Sequence, residues 1–184
     1  MARAFLDGGA GVVQVRAKHL PSGPFLRLVD EVLAVSAPYA ATILVNDRVD
    51  VALISGASGA HVGQDDLGPR EARRLLGATA IVGYSTHSRA QVELASSEPV
   101  SYMAIGPVFG TRTKDTGYAP VGLGMVAEAV RASKGLPIVA IGGITLETAP
   151  AVVAAGASAV AVIGDLLAGG DPASRVAAYG RALR

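Results

Sequence analysis

Short apolar runs, each stopped abruptly by glycine or polar residues, recur along this chain with helix-patterned segments between them. The runs are Val12–Val15, Ile43–Val45, Ala60–Val62, Ala80–Gly83, Tyr102–Ile105, Ile138–Ile141 and Ala159–Ile163. Helical spacing covers Ala2–Asp7, Pro24–Ala37, Val49–Ile54, Arg70–Leu76, Arg89–Ala95, Gly122–Ala132, Leu146–Ala155 and Pro172–Leu183. Strands this uniformly apolar need cover on both faces, and a helix between consecutive strands returns the chain so that the strands run parallel. Glycines stand at the same junction, a helix end just ahead of a strand, at Gly8-Gly9, Gly59 and Gly156. The fold class is therefore α/β with a parallel sheet and no internal linker.

About seven strands can be read this way, whereas a closed β/α barrel has about eight. An open doubly wound sheet competes, but it carries its glycine-rich loop after the first strand. Here the glycine-rich strand ends, Gly142-Gly143 and Gly164, come last. That is where barrels hold phosphate, on backbone N–H groups and a short helix N-terminus. Ordinary turn glycine is the competing account of both.

Composition narrows the partners. The chain has 184 residues, a formal net charge of +1, no Cys and no Trp. Near-neutral charge and scarce aromatics speak against a nucleic-acid surface. No apolar run approaches the ~20 residues of a membrane helix. The start, MARAFLDGG, is too short and polar for a secretory signal. Absent cysteine excludes disulfides and thiolate chemistry and fits a reducing compartment, so a cytoplasmic protein is expected. Homo-oligomerisation is left open.

The stretch Ile43–Asp66 holds the clearest chemistry. Two apolar runs end in Asn46-Asp47-Arg48 and Gly63-Gln64-Asp65-Asp66. Parallel neighbouring strands put both carboxylate-bearing ends on one side of the sheet. Two carboxylates there suit Mg²⁺, which takes one or two of them plus phosphate oxygens. The alternative is that Asp47 caps the next helix and Asp65 and Asp66 are solvated turn residues. Upstream, Gln14, Arg16 and Lys18 alternate along the first strand and share a face, a donor strip suited to phosphate or pyrophosphate, or else the solvated face of an edge strand. His61 and His87 lack partners at metal-ligand spacing; His61 reads as a strand residue with structural hydrogen bonds, and His19 as a surface-loop residue.

Taken together, the strand ends resemble the thiamine phosphate synthase family. The matching pieces are VQVRAK at Val13–Lys18, VNDR at Val45–Arg48, HVGQDD at His61–Asp66, GYSTH at Gly83–His87, GPVFGTRTK at Gly106–Lys114 and AIGGI at Ala140–Ile144, in family order and over nearly the whole chain. The resemblance implies a TIM (β/α)8-type barrel. It implies a Mg²⁺-assisted transferase joining two small molecules, hydroxymethylpyrimidine pyrophosphate and hydroxyethylthiazole phosphate, to give thiamine phosphate and pyrophosphate. It also implies roles: Gln14, Arg16, Lys18, Asn46 and Lys114 on the pyrophosphate-bearing substrate, and Asp47 and Asp66 on magnesium. Ser85 would lie near the leaving group, Thr111 and Thr113 on the loop over the substrates, and Gly143, Ile163 and Gly164 around the thiazole phosphate. Lys114, Ser85 and Arg16 would act in catalysis, and His87 could approach the leaving group.

Three departures from the family pattern stand out. No strand-like run precedes Ala2–Asp7, so the barrel is expected to lack its usual first strand. Ala17 stands where an acid is usual, and Gly164 where serine is frequent. The related thiazole tautomerase is the nearest alternative, but it tends to lack the acid at Asp47 and to carry histidine where Pro107 stands. A non-catalytic phosphate-binding barrel would be expected to have lost Asp47, Asp66 or Lys114.

Overall fold

A computed structural model describes residues 1–110 and 117–183. Its strands are β1 (Val12–Val15), β2 (Thr42–Asn46), β3 (Gly59–Val62), β4 (Ile81–Thr86), β5 (Tyr102–Ile105), β6 (Ile138–Ile141) and β7 (Ala159–Ala161). Among the described residues they form one seven-stranded sheet in sequence order, every neighbouring pair parallel. The helices are α1 (Ala2–Asp7), α2 (Ser22–Ser36), α3 (Val49–Ser55), α4 (Pro69–Leu76), α5 (Arg89–Ala95), α6 (Gly122–Ala132), α7 (Ala149–Ala154) and α8 (Pro172–Ala182). A short 3-10 turn, Gly164–Leu167, follows β7.

Alternation along each strand sorts the side chains onto two faces. Val13, Val15, Ile43, Val45, Ala60, Val62 and Val82 face the helices and pack with Phe25 and Val29 of α2 and Val49 and Ala52 of α3. Met103, Ile105, Ile138 and Ala140 form a second core with Val92 of α5, Val126 and Ala129 of α6, and Val152 of α7. Phe25 and Val29 are four apart, one above the other on the helix face that meets the sheet. Burying such side chains contributes about 2 kcal/mol each before chain entropy is charged against it. The other strand face carries Gln14, Asn46, His61 and Ser85, so the polar residues collect on the concave, barrel-inner side.

The expectation of a barrel without its usual first strand holds among the described residues: β1 and β7 are the edges of the sheet. The helical layer nevertheless continues past the gap, because α1 packs against both α8 and α2. The inner face is open beside β1, where Val12 is 60% exposed. Two local expectations are corrected. Helix α2 starts at Ser22, ahead of the expected Pro24, with Pro21 at its N-cap, and the Ser22 hydroxyl accepts from Arg48 Nη2. Strand β4 runs on to Thr86, which places Ser85 within the strand and not in the loop after it.

Candidate active site

Because all strands point one way, their C-terminal ends form one rim. Val45 to Val49 shows how the chain sets a carboxylate there. Asn46 ends β2, and Asp47 takes a positive φ of 63°. Its backbone N–H donates to the His61 carbonyl, and the Arg48 N–H closes a tight turn onto the Asn46 carbonyl. A non-glycine residue at positive φ is costly and is held only where its surroundings demand it. Arg48 occupies the N-cap of α3 without a side-chain capping bond, so Asp47 is not the N-cap residue of that helix.

The turn aims Asp47 across the rim. Lys18, just past β1, meets the Asp47 carboxylate at 2.8 Å. Asp66, from the turn after β3, accepts from the Gly63 N–H at 2.8 Å and lies beside Asp47. Partial burial is the largest influence on Asp66 and pushes its pKa up; the Gly63 bond opposes this, and the neighbouring Asp47 carboxylate raises it further. Two carboxylates facing one another, with the Lys18 ammonium alongside, form a donor set that fits a hard divalent cation. Gln14 and Arg16 stand exposed on the same side. Asn46 is buried.

The middle of the rim is tied by side chains. His61 Nε2 and Ser85 Oγ lie 2.8 Å apart, and so do His61 Nδ1 and the Tyr102 hydroxyl. Gln64 donates to the Ser85 carbonyl at 2.5 Å. His87 bonds the Gly106 carbonyl through Nδ1 at 2.6 Å and stacks on Tyr118, with ring centroids 3.7 Å apart. It therefore holds the two ends of the loop after β5.

The far side of the rim is built from backbone. Gly142 and Gly143 follow β6 with φ of 98° and 65°. The Val108 and Phe109 N–H groups donate to the Ile141 and Gly142 carbonyls. A side chain on Gly143 would collide with the Gly110 carbonyl and with Phe109. Gly164 opens the 3-10 turn, and Ile163 before it is 50% exposed. Asp165 then accepts from the Leu146 N–H at 3.1 Å, from both Nε and Nη2 of Arg175, and from the Tyr179 hydroxyl at 2.5 Å. Burial alone would raise its pKa, but these bonds outweigh it and hold the carboxyl below its ordinary value.

The structure thus brings Lys18, Asn46, Asp47, Asp66 and Ser85 to one rim, with Gly143, Ile163 and Gly164 across it. Thr111, Thr113 and Lys114 lie outside the described residues. Sequence reasoning assigned no role to Tyr102, Gln64 or Asp165. Gln64 and Asp165 sit in or beside motifs already noted, whereas nothing local distinguishes Tyr102.

The family model described as thiamine monophosphate synthase matches residues 1–166. The chain belongs to this family. It is 44% identical over 176 residues to the thiamine-phosphate synthase of Anaeromyxobacter dehalogenans, spanning 96% of this chain and 78% of that protein. It is equally similar, 44% over 171 residues, to a Synechococcus thiamine-phosphate synthase; the match covers 93% of this chain but about half, 48%, of that protein's length. The structure of thiamine phosphate pyrophosphorylase from Pyrococcus furiosus superposes with a TM-score of 0.91 at 28% identity, covering 99% of this chain and 87% of that one. The thiamine monophosphate synthase family therefore accounts for the fold over nearly all of this chain.

Proposed function

We propose that this chain is a thiamine-phosphate synthase, a transferase that joins a pyrimidine-methyl pyrophosphate to a thiazole phosphate and releases pyrophosphate. The observation that carries the reading is the meeting of Lys18, Asp47 and Asp66 from three different strand ends, with Lys18 and Asp47 2.8 Å apart.

In this reaction the methylene C–O bond breaks and its electron pair leaves with the pyrophosphate. The ring nitrogen of the thiazole then forms the new C–N bond. Arg16 and Lys18, with Lys114, would face the charge that grows on the departing oxygens, where preorganised cations are most effective. Asp47 and Asp66 would hold magnesium, which when bound neutralises leaving-group charge. Asn46 would bond the same substrate from inside the barrel, and Ser85 would lie near the leaving group and the pyrimidine. The backbone around Gly143, Ile163 and Gly164 would hold the thiazole phosphate, and Thr111 and Thr113 would cover both substrates. The thiazole nitrogen is already nucleophilic, so the reaction needs no strong protein base, which suits a rim rich in donors. Among the described residues no helix is long and apolar enough to cross a membrane. The absence of Cys favours the cytoplasm as its compartment.

The test is pyrophosphate release from both precursors together, with and without Mg²⁺. Release that requires the thiazole phosphate and the metal supports the reading. Release from the pyrimidine precursor alone, or none with both, would overturn it.

A further inference from the structure

His61, Gly83 and Tyr102 lie in one cross-strand row: the sheet register pairs His61 with Gly83 and Gly83 with Tyr102. Paired positions in a parallel sheet share a face. Gly83 contributes no side chain, and the Tyr102 ring crosses the space it leaves. A Cβ on Gly83 would overlap the Tyr102 phenol and lie 2.5 Å from His61 Nδ1. Two strands are thereby bridged over a third. The chain of contacts runs on from His61 Nε2 to Ser85 Oγ.

The proton positions along this chain follow from what each group can do. The Tyr102 hydroxyl bonds His61 Nδ1 and no other group among the described residues. A part-buried hydroxyl that only accepted would leave its proton without a protein partner, which is costly. Burial also pushes the phenol's pKa up, so it keeps that proton. Tyr102 therefore donates, and His61 Nδ1 accepts. A neutral imidazole whose Nδ1 accepts carries its proton on Nε2. That N–H points at Ser85 Oγ, so the serine accepts from His61 and its own proton remains to be given.

We infer that Tyr102 and His61 are positioning residues which lock Ser85 as a hydrogen-bond donor to the bound substrates. This rests on the proposed synthase reading and adds to it a polarity for Ser85. The serine supplies a proton-bearing hydroxyl to an acceptor on the substrate, an oxygen of the pyrophosphate or a ring nitrogen, and does not accept from it. Without the tyrosine hydroxyl, His61 is free to place its proton on Nδ1. Ser85 would then give its proton to Nε2 and be lost as a donor to substrate.

The test has two arms. In the full chain, nitrogen-15 NMR of the imidazoles should find His61 as the Nε2–H tautomer, with Tyr102→Phe shifting it toward Nδ1–H. This arm needs no turnover, so it stands or falls apart from the synthase reading. In the second arm, Tyr102→Phe should lower kcat by roughly 10- to 100-fold with KM changed less than about twofold, the mark of an interaction that strengthens in the transition state. Tyr102→Phe combined with Ser85→Ala should be no slower than Ser85→Ala alone, because both changes remove one interaction. A wild-type His61 that is Nδ1–H or doubly protonated would overturn the inference. So would losses that multiply in the double variant, or a Tyr102→Phe enzyme within about twofold of wild type.

Discussion

The two halves of the rim are made of different materials. On the β1–β3 side the groups proposed to meet substrate and metal are side chains: Lys18 pairs with Asp47, and Asp66 stands beside them. On the β6–β7 side they are backbone, at Gly143 and Gly164, with side chains excluded at Gly143 by the Gly110 carbonyl and Phe109. The charged half can lose a functional group while its fold survives, since its carboxylates stand on turns over an already packed core. In the backbone half, geometry and stability are one property, because what would cradle phosphate is the same close packing that joins the β5 and β6 ends.

Substitutions can break or sharpen that contrast. The largest effect is expected from Asp47→Asn, a loss of about 100-fold or more in pyrophosphate release, equivalent to roughly 3 kcal/mol. Asn tolerates positive φ, so the melting temperature should barely move, whereas Asp47→Ala should add about 1 kcal/mol of destabilisation at this φ of 63°. Equal melting losses for Asn and Ala would show that the turn is not strained. Next comes Gly143→Ala. Its positive φ and the obstructing backbone should together cost about 2 kcal/mol, seen in thermal melts, and should weaken thiazole phosphate binding in parallel. Unchanged stability with weakened binding would erase the distinction between the halves.

Asp165 gives the third prediction. Its carboxylate ties the segment after β6, through the Leu146 N–H, to Arg175 and Tyr179 of α8. Asp165→Asn should lower stability at neutral pH by about 1.5 kcal/mol, or a melting shift of about 4 °C. The folded pKa is depressed, so this contribution is complete above the unfolded aspartate pKa of about 3.9 and disappears as pH falls through the lower folded value. The gap between variant and wild type should be full at neutral pH and begin to close only below about pH 4. The smallest effect is expected for Lys18→Ala. It should raise KM for the pyrophosphate precursor by roughly 10-fold, about 1.4 kcal/mol, with little change in melting, because the pair it forms with Asp47 is partly solvated.

Much of this was legible in the chain. Apolar runs ending in Asn46-Asp47 and in Gly63–Asp66 already put two carboxylates on one rim, and the count of seven strands matches the sheet. Strand parity alone put Gln14 with Arg16 on one face. The competing capping role of Asp47 could not be dismissed from the sequence, because a polar residue between a strand and a helix is an ordinary cap. It was settled by where the helix starts, with Arg48 at its N-cap and Asp47 one residue earlier at positive φ. Thr111, Thr113 and Lys114 were read from the motif Gly106–Lys114, whose last four residues lie outside those described.

What the order of residues determined by itself was the repeating strand–helix unit, and hence which strand ends share a side. Hydrophobic burial enforces that with a period each stretch carries locally. What only the folded chain decided was which side chains meet: Lys18 with Asp47, Asp165 with Arg175 and Tyr179, and Tyr102 reaching His61 across Gly83. Those contacts depend on register between neighbouring strands and on where each turn aims its residue. Both are set by hydrogen bonding and packing between segments distant in sequence, which no local pattern records.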